Sequence, residues 1–173
     1  MALLAILKLK TYMKILSKNL DDTDKIAEAI AASVKIQGGL ICLYGDVGAG
    51  KTTLVKFIAK YLRIQEKVTS PSFVILNEYH SGIIPLYHFD LYRLEKEGID
   101  TILDELREYT EGDKILAVVE WAEFSQNELP DDRLEAQIKY IGENEREFIF
   151  TGFGDKSRQI LEKIIASPAL FPS

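Results

Sequence analysis

Apolar residues recur along this chain in two patterns, which predict strands that alternate with helices. Uninterrupted apolar runs at residues 40–44 and 115–119 are typical of buried strands. Apolar positions three or four residues apart predict helices over residues 21–36, 54–62 and 160–165. Strands separated by helices favour an α/β fold, because parallel strands are joined by helical crossovers that cover both faces of their sheet.

Shorter patterns predict additions to that core. A charged, helix-like stretch covers residues 94–109, and residues 21–23, Asp-Asp-Thr, offer a cap for the first helix. Further strands are predicted at residues 13–17, at residues 74–79 and 83–89 on either side of a Ser81-Gly82 turn, and at residues 134–141 and 147–151 as a hairpin-like pair.

A phosphate-binding loop follows the first apolar run. Residues 45–52 match the pattern G-x-x-x-x-G-K-[ST], in which glycines let backbone N–H groups converge on phosphate oxygens. Lys51 is expected to reach the β- and γ-phosphates of a nucleoside triphosphate, and Thr52 to ligate Mg²⁺. We therefore expect a three-layer α/β domain of the P-loop NTPase type, with a mostly parallel central sheet and antiparallel additions. The predicted nucleotide-binding residues are Gly45, Asp46, Val47, Gly48, Ala49, Gly50, Lys51, Thr52 and Thr53.

Two acidic residues, Asp90 and Glu120, each follow a predicted strand. Ligands in open α/β sheets bind beyond the carboxyl ends of the strands, so both carboxylates are expected near the metal and the γ-phosphate. We favour Glu120, with Thr52, as the metal ligand and Asp90 as the group that orients the attacking water. The roles can also be exchanged, which makes Asp90 a second candidate metal ligand, and an ordinary surface acid is the alternative for both. The candidate catalytic residues are Lys51, Asp90 and Glu120.

Four other features each allow two interpretations. The hydroxyl-rich loop at residues 69–73 is either a switch that senses the γ-phosphate or a plain turn. Trp121 either packs in the core or contacts the site, and Arg93 either reaches phosphate or forms a surface ion pair. For His88, a packed or surface histidine is favoured over a catalytic one.

The composition limits the class of protein. A chain of 173 residues suits one domain, which we place at residues 13–173, after an N-terminal extension at residues 1–12. The net charge of −6 argues against a protein whose main function is to bind nucleic acid, since such binding needs Lys and Arg to neutralise the phosphates. The lone Cys42 is consistent with a reducing compartment, and so with the cytoplasm. The apolar part of the extension is too short to span a bilayer, so no membrane association is expected.

Four motifs, in this order, resemble those of a known family. They are Gly-Asp-Val-Gly-Ala-Gly-Lys-Thr-Thr at 45–53, Thr-Ser-Pro-Ser-Phe at 69–73, Tyr-His-Phe-Asp-Leu-Tyr-Arg at 87–93 and Glu-Trp at 120–121. Residues 13–152 are similar to TsaE, the bacterial ATPase family required for threonylcarbamoyladenosine formation on transfer RNA.

This resemblance implies more than the residues show by themselves. It implies a Mg²⁺-dependent ATP hydrolase, weak alone, that binds a heterodimer of two related sugar-kinase-fold proteins, one of which carries the transferase site. That assembly modifies adenosine 37 of transfer RNAs reading codons that begin with A. This chain would then contact transfer RNA only indirectly, which fits its acidic charge.

Three other classes of function are alternatives to a partner-dependent ATPase. A small-molecule kinase would share the phosphate loop, but it needs an acceptor pocket and an arginine-bearing lid, for which Arg93 and Arg107 are the candidates. A GTPase is disfavoured because the chain has no Asn-Lys-x-Asp motif. A module that holds nucleotide without turnover is disfavoured by the two acids that follow strands.

Overall fold

The computed structural model of the protein describes residues 12–125 and 127–172. This part of the chain contains seven β-strands and five α-helices. The strands are β1 (Tyr12–Ser17), β2 (Gly39–Tyr44), β3 (Leu76–Tyr79), β4 (Leu86–Asp90), β5 (Leu116–Glu120), β6 (Arg133–Tyr140) and β7 (Arg146–Phe153). The helices are α1 (Leu20–Val34), α2 (Lys51–Tyr61), α3 (Leu94–Glu97), α4 (Leu103–Thr110) and α5 (Asp155–Ile165), with 3-10 turns at Asp100–Ile102 and Ala122–Ser125.

The strands form one sheet in the order β1-β7-β6-β2-β5-β4-β3. Strands β6, β2, β5 and β4 run parallel to one another, whereas β3 at one edge, and β7 and β1 at the other, are added by antiparallel pairing. The register aligns Leu43 of β2 and Asp90 of β4 with Glu120 of β5. The carboxyl ends of these three strands therefore lie at one edge, and the predicted α/β fold is confirmed.

Helices cover both faces of the sheet, which gives the molecule three layers. On one face, Leu43 of the sheet belongs to a core that includes Ile58 of α2 together with residues of α1 and α5. On the other face, Cys42 belongs to a core that includes Leu106 of α4 and residues of α3. Consecutive strand residues point to opposite faces, so both faces of a central strand must be apolar. That requirement explains the uninterrupted apolar runs in the sequence.

The helix predicted over residues 94–109 is broken in the structure. Gly98 adopts φ 76°, a left-handed conformation that glycine reaches at little cost, and α3 ends there. A 3-10 turn then leads into α4. The break lets Leu94, Ile99 and Leu106 all contribute to the same core.

Strands β3 and β4 begin later than the apolar pattern predicts. Ile75 has a left-handed backbone with φ 72°, so the strand predicted from residue 74 starts only at Leu76. The strand predicted from residue 83 starts at Leu86, directly after Pro85, whose nitrogen has no hydrogen to donate. Local backbone geometry therefore trims both strands.

Side chains that the apolar pattern does not mark cap two of the helices. Asn19, rather than one of the three residues predicted, caps α1 and accepts a hydrogen bond from the backbone N of Asp22 at 2.9 Å. Asp132 accepts hydrogen bonds from the backbone N of Lys156 at 2.9 Å and of Ser157 at 2.8 Å. This distant carboxylate satisfies free N–H groups in the first turn of α5, which begins before the predicted apolar series.

The extension predicted at residues 1–12 lies outside the described residues, except for Tyr12, which opens β1. Within the described ranges, every helix is too short or too polar to cross a membrane.

Cys42 offers a direct test of how tightly the sheet is packed. The side chain is fully buried in β2, and burial raises the pKa of its thiol, so the reactive thiolate is both scarce and shielded. We expect the native protein to react with Ellman's reagent at least about 100-fold more slowly than the urea-unfolded chain. Absorbance with and without urea measures the two rates, and fast labelling of the native protein would contradict the packing. Because Cys42 is the sole cysteine, the signal has one source.

Candidate functional site

The phosphate loop joins β2 to α2, the strand–loop–helix arrangement that its motif requires. Gly45 has φ 150°, and a Cβ added there would lie 2.6 Å from the carbonyl oxygen of Ile138 on β6, so a larger residue does not fit. Gly50 has φ 108° and directly precedes the first turn of α2. The loop thus delivers its backbone N–H groups at the positive end of a helix, where an anion is stabilised.

Lys51, the first residue of α2, is a buried cation. Its ammonium donates hydrogen bonds to the carbonyl oxygens of Gly45 and Asp46, the latter at 3.0 Å, and lies 3.8 Å from the centroid of the Trp121 ring. Burial lowers the pKa of Lys51, while nearby carboxylates, Glu120 first among them, act in the opposite direction. A phosphate anion in the loop would stabilise the charged ammonium that burial disfavours.

Glu120, at the end of β5, is buried and contacts two polar side chains. Thr52 Oγ1 donates to this carboxylate and lies 2.9 Å from Oε1 and 3.2 Å from Oε2. His88 Nε2 lies 2.8 Å from the same Oε1. His88 is packed, as the sequence favoured, but its contact with a candidate site residue was not foreseen.

Asp90, at the end of β4, is bound to the hydroxyl-rich loop at residues 69–73. Its Oδ2 accepts hydrogen bonds from Ser72 Oγ at 2.7 Å and from Ser70 Oγ at 3.2 Å, and its Oδ1 accepts one from the backbone N of Tyr92 at 3.0 Å. The loop is therefore connected through two hydroxyl groups to a carboxylate that lies opposite Glu120 in the sheet register.

One cavity of about 910 Å³ brings the predicted chemistry together. Lys51, Thr52, Asp90 and Glu120 all border it, and so do the two serines of the hydroxyl-rich loop. Hydroxyl and carboxylate oxygens suit Mg²⁺, which is commonly held by one or two carboxylates and the phosphates of its substrate. Within the described residues, His, Cys, Asp and Glu side chains form no group of three or more arranged to bind a metal.

A second cavity, of about 520 Å³, adjoins the other side of the phosphate loop. It is bordered by the loop itself, by the start of α1 and by the turn between β6 and β7. Since the sheet order places β7 and β1 on one side of β2, and β5 and β4 on the other, the loop separates the two cavities.

Arg146, which borders the second cavity, contacts the phosphate loop in a way that the sequence did not indicate. Its Nε donates to the carbonyl oxygen of Ala49 at 3.0 Å, and its Nη1 donates to that of Gly142 at 3.0 Å. The guanidinium also lies 4.5 Å from the ring centroid of Tyr140. An arginine at the start of a late strand carries no local signal for this role, because its partner in the loop is 97 residues away.

Trp121 and Arg93 each show features of both interpretations that the sequence left open. Trp121 is partly buried against the core and also borders the larger cavity. Arg93 borders the same cavity, but its guanidinium donates to the carbonyl oxygen of Phe73 at 2.8 Å and forms an ion pair with Glu97 at 2.9 Å.

Trp121 is expected to report nucleotide binding by its fluorescence. Phosphate in the loop should draw the Lys51 ammonium toward the new anion, and this movement changes the cation–π contact with the indole. Titration with Mg-ATP should therefore change the emission, and this signal has one source because Trp121 is the only tryptophan. The same titration of Lys51→Ala should show a much smaller change, whereas a flat response of the unmodified chain would contradict the expected movement.

Comparisons with known proteins agree on one family. Residues 17–148 match the family model described as threonylcarbamoyl adenosine biosynthesis protein TsaE. A protein of that name from Bacillus subtilis (strain 168) is 42% identical over 146 residues, which cover 84% of this chain and 89% of the relative. Another, from Nostoc sp., is 41% identical over 119 residues, which cover 67% and 72% of the two chains. The crystal structure of Bacillus subtilis YdiB superposes with a TM-score of 0.73 at 36% identity, over 90% of this chain and 95% of that one.

Proposed function

The chain belongs to the TsaE family of transfer RNA threonylcarbamoyladenosine biosynthesis proteins, and on that premise we propose that it is a Mg²⁺-dependent ATP hydrolase. The single observation that carries the proposal is the cavity that Lys51, Thr52, Asp90 and Glu120 border together. Hydrolysis would take place in the cytoplasm. It would support the modification of adenosine 37 in transfer RNAs reading codons that begin with A.

We propose that ATP lies across the phosphate loop, with one end in each of the two cavities. The triphosphate would lie along residues 45–53, and its γ-phosphate would enter the larger cavity, where both candidate carboxylates lie. The nucleoside would then occupy the smaller cavity on the other side of the loop. Arg146 would support this arrangement by holding the loop through the Ala49 carbonyl oxygen.

Four polar residues of the larger cavity would take part in the proposed reaction. Lys51 would bind the β- and γ-phosphates and stabilise the charge that develops as the γ-phosphoryl group leaves. Thr52 and Glu120 would hold Mg²⁺, which supplies charge neutralisation between the phosphates. Asp90 would orient the attacking water, since it is already fixed by the two serines and by the backbone of Tyr92.

Partner binding near the site has support in the surface around the larger cavity. Val47 and Phe73 border this cavity with 79% and 89% of their surface exposed, and Tyr92 beside them is about half exposed. Clustered exposed apolar side chains are typical of protein interaction surfaces. We propose that this rim meets a heterodimer of two related sugar-kinase-fold proteins. The net charge of −6 agrees with transfer RNA being held by those partners.

Phosphate release from ATP tests the proposed function. It is measured with Mg²⁺ for the purified chain alone and then with the two partner proteins added. We expect weak release alone and faster release with the partners. Absence of hydrolysis under both conditions would refute the proposal. An equal rate of phosphate release with and without the partners would refute partner activation.

The structure does not favour the alternative of a small-molecule kinase. Arg107, one of its candidate lid residues, pairs with Glu128 at 2.7 Å and does not border the larger cavity. Arg93 is engaged by Phe73 and Glu97. Phosphate transfer to a small alcohol in place of release to water would restore the kinase interpretation.

A further inference from the structure

We propose that His88 is a positioning residue, which holds the Glu120 carboxylate in the orientation that binds a divalent cation. This inference rests on the proposed ATPase function and adds to it a side chain outside the cavity. His88 is completely buried, and it borders neither of the two cavities beside the phosphate loop.

The sheet brings His88 to Glu120. Strands β4 and β5 are parallel neighbours, and their register pairs His88 with Val118 and Asp90 with Glu120. Residues two apart in a strand share a face, so His88, Asp90 and Glu120 project on the same side of the sheet. Within that face, His88 Nε2 reaches Glu120 Oε1 at 2.8 Å, a good hydrogen-bond distance.

The surroundings of the imidazole indicate which nitrogen carries the proton. Among the described residues, Nδ1 of His88 is buried and has no hydrogen-bond partner. A proton there would be an unsatisfied buried donor, whereas a proton on Nε2 is donated to a carboxylate. The neutral Nε2–H tautomer is therefore the form that fits, and it makes His88 a hydrogen-bond donor to Glu120.

That hydrogen bond makes the surroundings of the two Glu120 oxygens different. Oε1 is close to both His88 Nε2, at 2.8 Å, and Thr52 Oγ1, at 2.9 Å. Within the part of the chain that the structure describes, Oε2 accepts a single, longer hydrogen bond, from Thr52 Oγ1 at 3.2 Å. His88 thus holds Oε1 through a hydrogen bond from outside the cavity, and Oε2 remains available for a cation in the cavity. Outer partners of metal ligands commonly act in this way.

Two substitutions separate the hydrogen bond from the packing. His88→Leu fills similar space but cannot donate, whereas His88→Gln keeps an N–H group at about the distance of Nε2. We expect His88→Leu to raise the Mg²⁺ concentration for half-maximal binding of a non-hydrolysable ATP analogue by about 10-fold to 100-fold. Binding of the analogue without Mg²⁺ should be unchanged. His88→Gln should lie close to the unmodified chain in both measurements, which are made by calorimetry.

The outcomes distinguish this inference from the proposed function. An unchanged Mg²⁺ requirement in folded His88→Leu would overturn the positioning role, and so would equal impairment in His88→Leu and His88→Gln. If the unmodified chain binds Mg²⁺ and the analogue but never hydrolyses ATP, the ATPase proposal fails while the result for His88 stands.

Nitrogen NMR of the imidazole tests the tautomer without nucleotide, and it decides the matter should His88→Leu fail to fold. The chain has two histidines, so His80→Gln, an exposed change outside the site, assigns the remaining signals to His88. We expect a protonated Nε2 and an unprotonated Nδ1, and loss of that pattern in Glu120→Ala. A proton on Nδ1 alone would overturn the inference, because His88 could then not donate to Glu120.

Discussion

Replacing Lys51 by alanine is expected to lower ATP hydrolysis by about 100-fold or more, to the background of the assay. The ammonium is the cation built into the phosphate loop, and it lies in a buried position where charge interactions are stronger than in water. Without it, the charge that develops on the γ-phosphoryl group loses its main cationic partner. Phosphate release with Mg²⁺ and the partner proteins measures the effect.

Lys56→Ala is the matched control for this change. Lys56 lies on the same helix, α2, but is exposed, so its loss should leave hydrolysis unchanged. Thermal unfolding of Lys51→Ala, compared with the unmodified chain, checks that the variant is folded and that the loss of hydrolysis comes from the missing ammonium. Full activity in Lys51→Ala would contradict the assignment of the whole site.

Replacing Glu120 by glutamine is expected to lower hydrolysis by about 100-fold and to raise the Mg²⁺ requirement together with it. The amide has nearly the same size as the carboxylate and keeps an oxygen that can accept from His88 and Thr52. It removes the negative charge that a Mg²⁺ ligand needs at this position. ATP binding in the absence of Mg²⁺ should be as tight as before or tighter, since one carboxylate near the phosphates is gone. Hydrolysis across a Mg²⁺ series, with calorimetry of ATP binding, measures both effects.

Two further variants make the Glu120 result specific. Glu123→Gln removes an exposed carboxylate close by in the chain, and it should lower hydrolysis far less than Glu120→Gln does. Asp90→Asn should lower hydrolysis without changing the Mg²⁺ requirement, because Asp90 is assigned to the water. If Asp90→Asn instead raises that requirement and Glu120→Gln does not, the two carboxylates have exchanged roles.

The strand, loop and helix around residues 45–53 could be predicted from sequence because the motif that marks them is contiguous. Its glycines, Lys51 and Thr52 stand at fixed spacings within one loop, and the flanking strand and helix are marked by their own apolar periods. The carboxylates could be located for a related reason. Each follows an apolar strand, and the carboxyl ends of parallel strands meet at one edge of a sheet.

His88 and Arg146 could not be located in that way. His88 contacts a residue 32 positions away, and Arg146 contacts one 97 positions away. Both contacts depend on which strands are neighbours and in what register they pair. The helix cap from Asp132 has the same origin, since it lies 24 residues before the first N–H group that it binds.

The sequence by itself therefore determined the class of fold, the strand–loop–helix at residues 39–61 and the position of the two acids at strand ends, because each is encoded by residues that are near one another in the chain. Only the tertiary structure decided how these parts are held. It brought His88 into hydrogen-bond contact with Glu120, two serines with Asp90, and Arg146 with the phosphate loop. The physical reason is that a hydrogen bond between distant residues forms only when the order and register of the sheet bring donor and acceptor within about 3 Å.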